Sequence, residues 1–137
     1  MKTRVLLFGL LALVIATACV ADTLVGTVSC SGPRGAGNVV KWTAWVVNLP
    51  WPGSCDVTNV DATLYLPAAD GTPTGPTMIV DVGGYYVPGD SAKRSQTQKL
   101  TLNAGVTQAT ALLVITGLTL DGSPVYYDAP LTITIPN

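Results

Sequence analysis

The sequence contains no histidine and no glutamate, and its single phenylalanine, Phe8, lies close to the N-terminus. Without histidine there is no Ser-His-Asp or Cys-His machinery, and the common histidine-bearing zinc sites cannot be assembled. Catalysis would have to rest on Asp, Lys, Ser, Thr or Tyr, and no spacing among the eight aspartates singles out a pair for glycoside hydrolysis. Charge is scarce too, at 11% of residues. With no basic patch to neutralise phosphates, nucleic acid is excluded as a partner, and Lys93-Arg94 reads as a solvated loop. No DxDxDG-like run concentrates oxygen ligands for calcium, so neither a metal nor a cofactor is expected. These absences together point away from an enzyme.

What the N-terminus does contain is an address. Lys2 and Arg4 precede the apolar run "VLLFGLLALVIATA", which is short for a membrane span and suited to the central region of a signal peptide. Small residues at Ala16, Ala18 and Ala21 allow cleavage after Ala18 or after Ala21. Assigning residues 1–21 to the leader leaves residues 22–137, enough for one domain with its own core. The mature chain keeps five basic residues (Arg34, Lys41, Lys93, Arg94, Lys99) against eight aspartates, a net charge of −3. Secretion, or retention at the cell envelope, is the expected destination.

Cysteine parity bears on the same question, because the chain has three: Cys19, Cys30 and Cys55. If Cys19 leaves with the leader, Cys30 and Cys55 remain to pair in an oxidising compartment, closing a loop of roughly 25 residues for roughly 3–4 kcal/mol in the chain-entropy model. If cleavage falls after Ala18, Cys19 becomes the mature N-terminus. Residues Ala16 to Cys19 then resemble a bacterial lipobox, with Ala16 where Leu is preferred, and the resemblance implies a lipid on Cys19 as the chain's only membrane attachment.

Beyond Thr23 the pattern alternates, rich in Val, Thr, Ile and Tyr and broken at short intervals by Gly, Pro, Asp and Asn. It predicts strands at 23–30, 38–48, 59–67, 77–83, 96–103, 109–121 and 125–135. About seven such strands separated by turn chemistry indicate an all-β, antiparallel two-sheet sandwich. Asp121-Gly122 between two apolar runs marks a hairpin. Pro130 cannot donate to a ladder, so its strand belongs at an edge or carries a bulge. In 38–48 alternation puts Val40, Trp42, Ala44 and Val46 on one face, making Trp42 the candidate core tryptophan; the reverse register would bury Trp45.

The order of "VVNLPWPGSCDVTNVDATLYLP", then "VPGDS", then "GSPVYYDAPLTITIP" is similar to that of the immunoglobulin-like "conserved repeat" and cell-adhesion-related (CARDB-like) domains of bacterial surface proteins. In those families an Asn-Val-Thr-like strand ends in Leu-Pro and a Pro-Gly-Asp-Ser turn precedes the next strand. The resemblance covers roughly residues 38–136. It implies an Ig-like sandwich used at the cell surface for spacing, adhesion or assembly, and it brings no catalytic residues. This chain departs from the pattern by standing alone rather than in tandem, and by carrying Cys30 and Cys55.

Three uses of such a domain are open. Partner contact or self-association suits a body this poor in charge, with strand addition along "APLTITIPN", which has no lysine to guard it. Sugar binding would place Trp45, Trp51, Tyr85 and Tyr86 against pyranose rings. A secreted inhibitor could present the loop Leu49 to Cys55, stiffened by its prolines.

Overall fold

Period-2 alternation puts one face of each strand against a core and the other against water, and two such sheets are needed to bury the apolar faces. The computed structural model describes residues 23–32 and 38–135; the expected signal peptide, both candidate cleavage sites and Cys19 lie outside them. The described residues form seven strands: β1 (Leu24–Cys30), β2 (Val39–Asn48), β3 (Val57–Pro67), β4 (Pro73–Tyr86), β5 (Ser91–Lys99), β6 (Gln108–Thr119) and β7 (Pro124–Thr134). They make a three-stranded sheet, β1-β2-β5, facing a four-stranded sheet, β4-β3-β6-β7, with antiparallel pairing throughout. The expected sandwich is the fold.

Alternation chooses the interior cleanly. Val40, Trp42, Ala44 and Val46 are buried on β2, and they face Ala62 and Leu64 of β3 and Ala111, Leu113 and Ile115 of β6 within one core. Trp42 is fully buried and Trp45 is 48% exposed, so the register with Trp42 inside is the one adopted. Gly26 of β1 packs directly against the facing sheet: a Cβ there would run into Ile115 Cδ1 and come within 2.9 Å of Leu113 Cδ2.

Two strands differ from the pattern reading. β5 begins at Ser91, five residues earlier than predicted, and includes Lys93 and Arg94, which are therefore strand residues and not a loop. Its sequence, "SAKRSQTQK", has no apolar alternation because it is an edge strand whose inward positions are Ala92, Arg94, Gln96 and Gln98, opposite Val46, Ala44, Trp42 and Val40. Charge on an edge strand discourages pairing with a foreign strand. β4 reaches from Pro73 to Tyr86, well beyond 77–83, and is also an edge; its pairing with β3 shifts register four times. One shift centres on Asn59, which takes a left-handed φ of 51° and interrupts the pairing of β3 with both neighbours. Asn tolerates that conformation and a β-branched residue does not, so Asn59 supplies the bulge.

β7 is the other edge of the larger sheet, with Pro130 opposite Leu112, as proline chemistry requires. It runs in the same direction as β1 and packs beside it along one flank of the sandwich.

Candidate functional site

The topology sorts the chain's connections to two ends. One end collects Thr23, the segment Leu49 to Asp56, the turn Val87 to Asp90 and the hairpin Leu120 to Ser123. Asn48, the last residue of β2, ties the first three together. Its backbone N–H donates to Asp90 O at 2.9 Å and its carbonyl accepts from Gly89 at 2.7 Å, while Leu49 N–H reaches Thr23 O at 2.6 Å. Its buried side-chain amide donates from Nδ2 to Tyr86 O at 3.0 Å and to Cys55 O at 3.1 Å.

That geometry corrects the expected disulfide: no disulfide joins Cys30 and Cys55. Cys30 closes β1 opposite Trp42, whereas the carbonyl of Cys55 is held by Asn48. Trp42 and Asn48 are six residues apart on a single strand, which places the two cysteines about 20 Å apart, at opposite ends of the sandwich, where a bridge needs Cα atoms within about 7 Å. Burial pushes the Cys30 thiol above its ordinary pKa, partly offset by a hydrogen bond with the Gly32 backbone.

The segment from Leu49 to Cys55 is held instead by Ser54. Its Oγ accepts from Trp51 N–H at 3.1 Å and donates to Leu49 O at 2.5 Å, while its own N–H donates to Trp51 O at 2.9 Å. The result is a rigid Pro-Trp-Pro-Gly tip with Trp51 53% exposed. The same end of the sandwich carries three other exposed apolar side chains from separate segments: Tyr85 at the end of β4, Val87 in the following turn and Leu120 in the β6-β7 hairpin. The Tyr85 hydroxyl donates to the Asp56 carboxylate, and that bond, with the carboxylate's charge and some desolvation, raises the phenol above its ordinary pKa. Asp90 Oδ2 accepts from Val87 N–H at 3.0 Å. Asp121 accepts from the Thr119 hydroxyl and from Ser123 N–H, which lowers its pKa.

Tyr86 takes no part in this surface. Adjacent strand residues point to opposite faces, and with Tyr85 outside, Tyr86 is only 4% exposed and belongs to the core. It is withdrawn as a ligand contact.

A second surface lies on the outer face of the three-stranded sheet. Trp45 sits between Thr27 of β1 and Lys93 of β5, with Val25 and Val47 one pair further along. Val25, Gly26, Thr27, Trp45 and Val47 line an open, apolar groove of about 220 Å³. Thr43 and Ser95 extend the face, their hydroxyls 3.0 Å apart. Of the sequence-predicted contacts, Trp45 thus occupies one surface and Trp51 and Tyr85 share another. Thr27, Lys93, Asp56 and Leu120, which complete these surfaces, carry no sequence signature. Only pairing register and turn position reveal them. Among the described residues no group of three or more Cys or Asp is placed to hold a metal ion.

No family model matches the chain, and no curated protein does. Solved structures do match. A candidate ApaA protein from Bordetella pertussis superposes with a TM-score of 0.58 at 14% identity, covering 83% of this chain and 94% of its own. A structural-genomics target known by its X-ray structure gives 0.55 at 12% identity, covering 86% and 91%. The CARDB domain of a Pyrococcus furiosus protein, solved in complex with di-metal ions, gives 0.51 at 15% identity, covering 82% and 87%. The fold is therefore CARDB-like, in keeping with the resemblance read from residues 38–136.

Proposed function

We propose that this protein is a non-enzymatic binding domain of the adhesion type, exported by its leader, that engages a protein partner at the cell surface through the Trp45 face. The observation that carries the reading is the groove beside Trp45. A half-exposed indole on a rigid strand, flanked by Val25 and Val47, is the kind of aromatic anchor around which protein contacts concentrate. Strand addition along β7 is less well supported, since Pro124 and Pro130 remove two N–H donors from that edge. An inhibitory role for the Leu49 to Cys55 segment would rely on the Ser54 hydrogen bonds for its rigidity, in place of a disulfide.

One observation favours a second reading. Thr27, Thr43, Ser95 and Lys93 place hydroxyl and amine groups around the same indole, a combination suited to a sugar ring stacked on Trp45. The test is adhesion of the purified protein to the cells that produce it, comparing wild type with Trp45→Ser. Binding that disappears in the variant and after protease treatment of the cells supports a protein partner. Binding that survives protease but is lost after periodate oxidation of surface glycans supports the carbohydrate reading. Undiminished binding by Trp45→Ser refutes both uses of this face.

A further inference from the structure

We infer that the end of the sandwich bearing Trp51 is a membrane-docking surface, whose occupant is the interfacial layer of a zwitterionic lipid bilayer. Three observations converge on this end. First, four of the exposed large apolar residues, Trp51, Tyr85, Val87 and Leu120, belong to segments far apart in sequence that the strand pairing brings to this end. Trp and Tyr are the residues that settle at the headgroup level, where an apolar ring and a polar edge are both satisfied. Second, the described chain starts here: Leu49 N–H bonds to Thr23 O, and residue 19 is four positions upstream. Four residues reach at most about 14 Å, so a membrane-attached Cys19 would hold this end, and no other, against the lipid. That second argument rests on export and on retention of Cys19; the first does not.

Third, charge chooses the lipid. The segments 49–56, 87–90 and 120–123 contain no Lys or Arg, and their charged residues are Asp56, Asp90 and Asp121. Each carboxylate is engaged locally, by Tyr85, by Val87 N–H and by Thr119 with Ser123. An anionic bilayer would be repelled by these three charges, and a second copy of the same end would bring six carboxylates together. A neutral headgroup layer meets neither obstacle and offers cationic groups to the carboxylates.

Brominated phosphatidylcholine vesicles provide the test, with the protein recovered from cells expressing the full chain and its intact mass recorded to establish whether Cys19 is acylated. The chain has three tryptophans, Trp42 in the core, Trp45 on the sheet face and Trp51 at the docking end, so quenching can be assigned by single Trp→Phe variants. Quenching that is lost in Trp51→Phe and kept in Trp45→Phe is the expected result, for acylated and unacylated protein alike. For unacylated protein, Leu120→Ser lowers vesicle partitioning roughly tenfold. Added phosphatidylglycerol weakens partitioning at low salt. An absence of quenching, or quenching that follows Trp45 instead, overturns the inference. A mass starting at Asp22 with Trp51 still quenched would remove the tether while leaving the docking surface standing.

Discussion

Asn48 offers the most demanding test of how the loop end is assembled. Its side chain is fully buried, and its Nδ2 is the donor for Tyr86 O and Cys55 O, while Oδ1 has no partner. Asn48→Ala leaves two carbonyls without that donor, each costing about 1–3 kcal/mol, and returns about 1 kcal/mol by removing the unsatisfied Oδ1, a net loss of about 1–5 kcal/mol. For a domain of this size that is a fall in Tm of roughly 4–20 °C. Asn48→Asp is the sharper variant. A carboxylate in this position faces two carbonyl oxygens in a buried site, so its folded pKa is raised above the unfolded value. Its penalty is absent below the unfolded pKa, grows as pH rises through the folded pKa, and is complete above it. Asn48→Asp should therefore be less stable than Asn48→Ala at neutral pH and should recover relative to wild type on acidification. Urea unfolding at several pH values, with unchanged m, gives the comparison. An Asn48→Ala protein within about 0.5 kcal/mol of wild type would refute the account, as would an Asn48→Asp deficit that does not shrink with acid.

Further outcomes follow from single features. Asn59→Val should destabilise by about 1–2 kcal/mol, because the left-handed backbone of the bulge excludes a β-branched residue, whereas Asn59→Gly should be within a few tenths of wild type by denaturant unfolding. Followed by phenolate absorbance, Tyr85 should titrate above the ordinary tyrosine value of 10.0, and Asp56→Asn should bring it back towards that value. Since the folded pKa of Tyr85 is raised, the stability linked to it is present below the unfolded pKa and is lost as pH rises through the folded one. Reductant should leave Tm unchanged, and denatured protein should react with thiol reagent at both Cys30 and Cys55 without prior reduction; a bridge between them in the monomer would contradict the strand arrangement.

The sandwich was legible because its determinants are local. Val40, Trp42, Ala44 and Val46 alternate on one strand, Asp121-Gly122 turns one hairpin, and Pro130 marks an edge, each within a short window. β5 was misplaced for a physical reason: an edge strand with Arg94, Gln96 and Gln98 at its inward positions leaves no apolar trace. Parity argued for a disulfide because a count of cysteines contains no distance, and only the run of β2 between Trp42 and Asn48 separates them. The cluster of Trp51, Tyr85, Val87 and Leu120 was equally hidden. Its members lie up to 69 positions apart and are joined by topology alone.

The parallel course of β1 and β7 also determines how the domain bears load. The chain enters at Thr23 on the end bearing Trp51 and leaves β7 at Thr134 on the opposite end. Force applied between these points acts along the strands, sliding β1 against β2 and β7 against β6. In that geometry the ladder hydrogen bonds are strained together instead of being peeled apart one after another. A domain held at one end and pulled at the other would resist as a shear joint.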